Sequence, residues 1–331
     1  MINIGIIGAG SWGSALAILL DNNGHKVSMW THTPEVVYEF NKSRELKNAL
    51  PGLVFPDSID ITDDLETICS NKDILVFVVA SPFIRETAIK AKPFIKEEQI
   101  IVNASKGIEE ATLYTLTDVL ADVLPKTEIA VLSGPSHAEE VSKKIPTTVV
   151  IGSKNQDIAN YLQDVFMNES FRVYTSPDVQ GIELGGSLKN VIALAAGICD
   201  GLGFGDNTKA ALMTRGVAEI ARLGIAMGGK VETFAGLSGV GDLIVTCSSN
   251  HSRNRMAGYY IGQGSSPSQA MDKVKQVVEG VYSAKAALAL AKKYKVEMPI
   301  VEQINKVLFE NKDPKEAVAD LLLRDKRREF Y

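Results

Sequence analysis

The fold is decided by the first stretch of the chain, residues 2–13, which reads INIGIIGAGSWG. Gly8, Gly10 and Gly13 form a G-x-G-x-x-G pattern that follows an apolar run and opens an apolar helical segment, residues 14–22. Gly8 permits a tight turn, Gly10 lets a pyrophosphate approach the backbone, and Gly13 lets the helix pack closely on the strand. A chance glycine-rich turn is the alternative, but this context predicts a dinucleotide-binding loop whose free N–H groups face an anion.

Outward from this loop, short β-branched runs alternate with segments of helical period as far as about residue 176, which is the pattern of a largely parallel sheet wrapped by helices. Several of the runs are apolar throughout, as strands covered on both faces must be. The sequence therefore predicts an α/β, doubly wound, Rossmann-like domain over residues 1–177. Its strands are predicted at residues 2–7, 26–30, 74–79, 99–103, 128–132, 147–151 and 172–175.

After Pro177 the period changes to that of helices, in long stretches rich in Ala, Leu and Gly. The chain has 331 residues, and single cores stop growing at roughly 250–300 residues, so a second domain is expected. We predict an all-α domain over residues 178–331; only the change of period marks the boundary. Clear helical segments are residues 184–199, 210–227, 280–293 and 314–323.

Composition narrows the class of protein. Hydrophobic residues make up 45% and charged residues 23%, which is typical of a globular protein, and a net charge of −5 argues against nucleic acid as a partner. Three widely spaced cysteines indicate neither a disulfide framework nor a metal site. The chain shows no signal peptide and no uninterrupted apolar run of about 20 residues, so we expect a cytoplasmic protein without a membrane span.

The choice of dinucleotide is left open by the end of the second predicted strand. Thr31 and His32 follow it, where an NAD-specific site usually has an acid for the ribose hydroxyl, and Glu35 comes slightly late. NAD or NADP is therefore expected. His32 either faces the adenosine ribose or its phosphate, or is a surface histidine without a role.

Two small-residue loops follow predicted strands and should meet at the carboxyl edge of the sheet, where open α/β folds bind ligands. Lys106 lies in the first, Ser105-Lys106-Gly107, and is a candidate substrate contact, although a loop lysine is usually only solvated. The second loop, residues 133–138, includes Gly134 and Ser136; its N–H groups either meet a ligand or form a simple turn before a helix.

The most informative helical segment is residues 183–196, an apolar run interrupted by Lys189. An uncompensated lysine there is costly. Gly185 and Gly186 share its helix face and let another group approach the ammonium, and burial beside Lys106 would lower the lysine pKa toward neutrality. The alternatives are a lysine that snorkels to solvent or pairs with Glu183.

A last candidate region joins residues 239–246 to a polar stretch, residues 249–255, that starts a new helix at or near Ser252. A helix N-terminus with an arginine fork binds phosphate well, so an anionic substrate is indicated. A solvated basic loop or a contact with a partner protein would give the same pattern.

These motifs together closely resemble, in order and over nearly the whole chain, the NAD(P)-dependent glycerol-3-phosphate dehydrogenase family in its bacterial form. The resemblance implies the reversible reduction of dihydroxyacetone phosphate to sn-glycerol 3-phosphate for glycerophospholipid synthesis. It also implies a homodimer formed through the helical domain, with a small phosphorylated molecule as substrate.

The resemblance also assigns residues. Lys189 would exchange the proton with the substrate oxygen, and Lys106 would polarise the substrate and contact the cofactor. The other substrate-binding residues would be Gly134, Ser136, Asn190, Asp242, Thr246, Ser252, Arg253 and Asn254. The cofactor would be lined by Gly8, Gly10, Ser11, Trp12, Gly13, His32, Ala138, Arg253, Val277 and Glu279.

Two rival functions remain at this point. One is another two-domain reductase of the hydroxyacid or phosphogluconate dehydrogenase kind, against which the segment 252–255 weighs. The other is a dinucleotide-sensing protein that has the fold without turnover, because a fold does not imply a function. The presence of both Lys106 and Lys189 weighs against the sensor.

Overall fold

The computed structural model describes residues 1–326, 328 and 329; Arg327, Phe330 and Tyr331, at the end of the second predicted domain, lie outside the described residues. Eight strands form one sheet in the order β3-β2-β1-β4-β5-β6-β7-β8. The order reverses next to β1, so the ligand crevice of a doubly wound sheet is expected there. The strands are β1 Asn3–Ile7, β2 Lys26–Trp30, β3 Asp60–Thr62, β4 Ile74–Phe77, β5 Ile100–Asn103, β6 Glu128–Ser133, β7 Thr147–Gly152 and β8 Phe171–Ser176.

All seven predicted strands are present, with bounds that shift by two residues at most. Neighbouring strands are parallel except β6 and β7, which pair antiparallel. Strand β3 lacks a clear pattern in the sequence and is not among the predicted strands, because this edge strand has three residues and a single buried apolar side chain, Ile61.

Helices cover both faces of the sheet. Side chains of α1 and α7 pack on one face, in the same core cluster as Ile4 and Ile6, whereas those of α4 and α5 pack on the other with Ile7 and Phe77. The doubly wound architecture is confirmed. These helices are α1 Ser11–Asn22, α2 Pro34–Ser43, α3 Leu65–Cys69, α4 Ile84–Ala91, α5 Leu116–Val123, α6 Ala138–Val141 and α7 Gln156–Phe166.

The rest of the described chain is helical, as predicted, and surrounds one long central helix. This helix, α8, has the length and hydropathy of a membrane span, but the whole of its apolar window is buried inside the protein. It is therefore the core helix of this half. The helices are α8 Val179–Gly201, α9 Asp206–Ala226, α10 Val231–Phe234, α11 Asp242–Ser248, α12 Arg253–Gly262, α13 Pro267–Val274, α14 Glu279–Tyr294, α15 Pro299–Phe309 and α16 Pro314–Leu322.

The junction between the two halves is fixed by Asp178. Its carboxylate caps α8 by accepting from Gly181 N at 2.9 Å, and it also accepts from Lys230 N at 2.8 Å and Thr233 Oγ1 at 2.5 Å. One carboxylate thus satisfies a free helix N–H and ties the start of α8 to the loop before α10. Residues 177–178, where the sequence predicts a domain boundary, lie between the end of β8 at Ser176 and the start of α8 at Val179.

Candidate active site

The glycine loop between β1 and α1 has the geometry that a pyrophosphate requires. Gly8 has a φ of +126°, a conformation that favours glycine. A Cβ on Gly13 would lie 1.9 Å from the carbonyl oxygen of Gly8, so the helix and the turn touch through backbone atoms. No side chain caps α1, and a Cβ on Gly10 would meet nothing within 4 Å. Open space beside uncapped N–H groups fits a dinucleotide phosphate.

Alanine at Gly13 should reduce stability, whereas alanine at Gly10 should weaken cofactor binding without reducing stability. Gly13→Ala forces a backbone clash, and overpacking of this kind costs typically about 1–3 kcal/mol of folding free energy. Gly10→Ala meets no protein atom, so its melting temperature should stay within about a degree of the wild type, while the methyl group obstructs the pyrophosphate and weakens NADH binding at least about tenfold, or about 1.4 kcal/mol. Thermal melting and NADH fluorescence titration of both variants check this. Equal melting temperatures for the two would contradict the packing role of Gly13.

The other expected cofactor residues lie around this loop with different degrees of exposure. Ser11 Oγ donates to the carbonyl oxygen of Ala49 at 2.6 Å, so its hydroxyl holds a neighbouring loop. His32 is exposed after β2, with its ring 6.4 Å from the ring of Trp30. Trp12 is half-buried in the first turn of α1. Of these, the structure ties only Ser11 to another segment by a side-chain hydrogen bond.

Two lysines share one carboxylate at the carboxyl edge of the sheet. Lys106 Nζ lies 2.6 Å from Asp242 Oδ2, and Lys189 Nζ lies 2.9 Å from Asp242 Oδ1. Lys106 also donates to the carbonyl oxygen of Gly134 at 3.0 Å, and Lys189 donates to Thr246 Oγ1 at 2.6 Å. The structure thus brings together five of the residues singled out in the sequence.

Lys189 is buried because glycines let α8 approach its neighbours. A Cβ on Gly185 would lie 2.6 Å from the carbonyl oxygen of Ser238, and one on Gly186 would lie 2.7 Å from Ser133 Oγ. The Lys189 side chain is 7% exposed, which excludes snorkelling to solvent. Pairing with Glu183 was the other alternative, and it is wrong.

Glu183 instead holds the loop that carries Lys106. Its carboxylate accepts from Asn103 Nδ2 at 2.9 Å, from Thr117 N at 3.0 Å and from the Thr117 hydroxyl. Asn103 Oδ1 in turn accepts from Ser105 N at 3.1 Å. Burial raises the pKa of Glu183 to about 7, against the hydrogen bonds that lower it. Sequence reasoning missed this link between α8 and the Lys106 loop.

Burial and the neighbouring charges shift the pKa values of Lys189 and Asp242. Burial, reinforced by the positive charge of Lys106, lowers the pKa of Lys189 to about 8, although Asp242 opposes this shift. Burial alone would raise the pKa of Asp242, but the two ammonium groups together hold it below its usual value. Lys189 is therefore an ammonium that can lose its proton near neutral pH, next to a permanent carboxylate.

The first turn of α12 carries three of the residues expected at the substrate phosphate. Ser252 is the N-cap of the helix, and its hydroxyl accepts from Arg255 N at 3.2 Å. Arg253 is exposed at the first helical position. Asn254 is buried: its Nδ2 donates to Asn190 Oδ1 at 2.9 Å and its Oδ1 accepts from Gly280 N at 2.8 Å. The helix expected at or near Ser252 is confirmed.

The loop after β6 lies against the same cluster. Gly134 has a φ of +135°, which favours glycine, and its carbonyl oxygen accepts both from Lys106 and from Ser136 Oγ, the latter at 3.0 Å. Ala138 begins α6 directly afterwards. Burial, and then the positive charge of Lys189, lowers the pKa of His137. The predicted turn before a helix is present, and it contacts a site lysine.

The start of α14 closes the other side of the crevice. The Glu279 carboxylate accepts from Ser81 N at 3.0 Å and from the Ser81 hydroxyl, in the segment that follows β4. Val277 lies half-buried just before Glu279. A Cβ on Gly107 would approach Glu279 Oε2 to 3.5 Å. Sequence reasoning missed Ser81, although its place after the strand predicted at residues 74–79 was a usable signal.

Comparison with known proteins agrees with this geometry. Residues 3–159 match the family described as NAD-dependent glycerol-3-phosphate dehydrogenase N-terminus, and residues 178–319 match the corresponding C-terminus. This chain belongs to the NAD-dependent glycerol-3-phosphate dehydrogenase family. The family resemblance drawn from the sequence is confirmed, and with it the rival assignment to another kind of two-domain reductase is set aside.

Similar members of the glycerol-3-phosphate dehydrogenase family cover the whole chain. A protein of Agathobacter rectalis named glycerol-3-phosphate dehydrogenase (NAD(P)+) is 60% identical over 99% of this chain and 97% of its own length. One of Fusobacterium nucleatum with the same name is 56% identical over 100% and 99%. The crystal structure of glycerol-3-phosphate dehydrogenase from Coxiella burnetii has a TM-score of 0.95 at 39% identity, covering 98% of this chain and 99% of that one. Family and fold are thus supported independently.

Proposed function

We infer that the chain is an NAD(P)-dependent glycerol-3-phosphate dehydrogenase, which reduces dihydroxyacetone phosphate to sn-glycerol 3-phosphate reversibly. The observation that carries this is the pair Lys106 and Lys189, joined through Asp242 at the carboxyl edge of a dinucleotide-binding sheet. A ketone that becomes an alcohol needs a proton on its oxygen and a positive environment for the charge that develops there. Two ammonium groups supply both.

Lys189 exchanges the proton with the substrate oxygen. When bound, the dinucleotide supplies or accepts the hydride at C2 of the substrate. Lys189, with a pKa lowered to about 8, gives its proton to the carbonyl oxygen in reduction and takes it back in oxidation. Asp242 and Thr246 hold the ammonium in place, and Lys106 polarises the same oxygen.

The phosphate end of the substrate is assigned to the first turn of α12. Arg253, Ser252 and Asn254 would hold it, because a helix N-terminus with a free guanidinium favours a dianion. Gly134 and Ser136 would line the other side, and Asn190 would orient Asn254 through the hydrogen bond between their amides. A phosphate held there positions C2 against Lys189.

The cofactor is assigned to the glycine loop and its surroundings. Gly8, Gly10 and Gly13 would cradle the pyrophosphate, for which the space beside Gly10 is suited. The remaining contacts would come from residues on both halves of the chain. They are Ser11, Trp12, His32, Lys106, Ala138, Arg253, Val277 and Glu279.

The wider setting is also proposed. The enzyme supplies sn-glycerol 3-phosphate to glycerophospholipid synthesis in the cytoplasm and forms a homodimer through residues 178–331. Light scattering on the purified enzyme should give twice the mass of the chain.

The activity is tested by the loss of nicotinamide absorbance when the purified protein meets dihydroxyacetone phosphate, with NADH and NADPH in parallel. Unphosphorylated dihydroxyacetone is the control for phosphate recognition. Rapid oxidation that depends on the phosphate is expected, and the two rates rank the cofactors. Dinucleotide binding without turnover on either cofactor would instead favour the sensing protein.

The pKa of Lys189 predicts opposite pH profiles for the two directions. Reduction needs the ammonium, so its kcat/KM should fall about tenfold per pH unit above a pH of about 8. Oxidation needs the free amine, so its kcat/KM should rise with pH and level off above the same value. Steady-state rates between pH 6.5 and 10 check this. If kcat/KM changes in the same direction with pH for reduction and for oxidation, Lys189 is not the proton carrier.

A further inference from the structure

Two arginines, Arg253 and Arg255, flank Asn254 in the first turn of α12, and the structure gives them different partners. Arg255 Nε and Nη2 each lie 2.7 Å from Asp200 Oδ2, and its Nη1 donates to Asn250 Oδ1 at 2.7 Å. Arg253 is exposed, and within the described residues its side chain makes no hydrogen bond or ion pair, although its positive charge opposes the rise in the pKa of Glu279 that burial causes. Arg255 is thus committed to the protein, and Arg253 is free for a ligand.

The partner of Arg255 belongs to the helix that carries Lys189. Asp200 lies at the end of α8, eleven residues after Lys189, which corresponds to about 16 Å along a helix. Its other carboxylate oxygen pairs with Lys209 Nζ of α9 at 2.7 Å. The bridge from Arg255 to Asp200 therefore fixes the first turn of α12 to the same rigid element that positions Lys189.

The body of α12 lies directly on the α8 backbone. A Cβ on Gly197 would lie 1.9 Å from the carbonyl oxygen of Arg255, and one on Gly258 would lie 2.1 Å from that of Leu194. Such contact leaves no room for the helices to slide. The first turn takes part in this contact through the Arg255 carbonyl and through the amide of Asn254, which donates to Asn190 Oδ1. The Arg255 guanidinium adds a tie from the same turn to Asp200 and Asn250, at the helix end where N–H groups lack helical partners and fraying begins.

We propose that Arg255 is a positioning residue for the substrate phosphate: through Asp200 and Asn250 it holds the first turn of α12, so that Arg253 is presented to the phosphate. This inference rests on the proposed function. Arg255 does not touch the substrate. Its loss should therefore weaken phosphate recognition and leave the reacting groups in place.

A positioning role for Arg255 predicts that its loss changes KM and leaves kcat unchanged. An interaction with the phosphate is made equally in the ground state and the transition state, so weakening it raises KM and leaves kcat unchanged. Arg255→Met should raise the KM for dihydroxyacetone phosphate about tenfold and weaken competitive inhibition by inorganic phosphate by the same factor. Its kcat/KM for unphosphorylated dihydroxyacetone should stay within twofold of the wild type.

Lys209→Met is the matched control, because it removes the other cationic partner of Asp200 without touching α12. Its KM should stay within twofold of the wild type. If Arg255→Met and Lys209→Met raise KM equally, or if Arg255→Met impairs phosphorylated and unphosphorylated substrates alike, Arg255 is only a structural residue and the proposal is overturned. A wild type without activity on dihydroxyacetone phosphate would instead remove the proposed function.

A milder variant keeps the proposal testable should Arg255→Met fail to fold. Asn250→Ala removes a single hydrogen bond from the guanidinium and leaves the pair with Asp200 intact. It should raise KM and the inhibition constant for phosphate in parallel, by about threefold, with kcat unchanged. An unchanged KM in a folded Asn250→Ala protein, combined with an unfolded Arg255→Met protein, rejects the positioning role.

Discussion

Lys189→Met should reduce the turnover of dihydroxyacetone phosphate by about 10³-fold or more, because general acid catalysis contributes typically 10²–10⁴-fold and the positive charge at the substrate oxygen is lost as well. Methionine matches the length of the lysine stem, and the site is already buried. Asp242 keeps Lys106 as its partner, so no carboxylate is left unpaired. NADH binding, measured by fluorescence, should remain within about twofold.

The control for this variant is a half-buried lysine outside the site. Lys72 donates to Ser28 Oγ at 2.6 Å in the loop before β4, at the amino edge of the sheet, and Lys72→Met should turn over as the wild type does. The residual rate of Lys189→Met should also lack the change of slope near pH 8. Retention of a tenth of the wild-type rate would show that another group, with Lys106 the nearest candidate, carries the proton.

Most of the fold could be predicted because local pattern and global position agree. Strands buried on both faces read as continuous apolar runs, and this identified seven of the eight. The edge strand Asp60–Thr62 could not be found this way, since its stability comes from pairing with β2 and not from its own side chains. The antiparallel direction of β7 was equally hidden, because chain direction depends on the path of the connection.

The site was predictable as separate residues and not as an arrangement. An isolated lysine in an apolar helix and a lysine after a strand each drew attention, but the resemblance was needed to assign Asp242. The bridge between Lys106 and Asp242 joins residues 136 positions apart, and such a contact leaves no local signal. The same holds for Arg255, which the sequence placed in a basic stretch without separating it from Arg253.

Asp242→Asn should change the pH profile more than any other conservative substitution in the site. Asparagine keeps the shape but removes the negative charge between two ammonium groups, and breaking a buried ion pair by removing one partner costs about 3–5 kcal/mol of folding free energy. The charge of Lys106 and the burial of Lys189 then act unopposed, so the pKa of Lys189 falls below its value of about 8. Reduction at pH 8 should drop at least about tenfold and recover partly toward pH 6.

The pH dependence of the stability of Asp242→Asn checks the lowered pKa of Lys189 independently of the kinetics. A lysine whose folded pKa lies below its ordinary value of 10.5 binds fewer protons folded than unfolded over that interval, so stability rises with pH there. In Asp242→Asn this interval begins at a lower pH than in the wild type. The deficit in melting temperature should therefore be largest at low pH and shrink as the pH approaches about 8.

Asp200→Asn separates this charge effect from the general loss of a carboxylate that pairs with two cations. Asp200 also pairs with two cations, Arg255 and Lys209, but neither is Lys189. Its variant should lose stability and bind dihydroxyacetone phosphate less tightly, yet keep the alkaline limb of reduction near pH 8. If both variants move that limb equally, the pKa of Lys189 is set by the packing of the helical half and not by the carboxylate beside it. A shift confined to Asp242→Asn assigns the tuning of the proton donor to this one side chain.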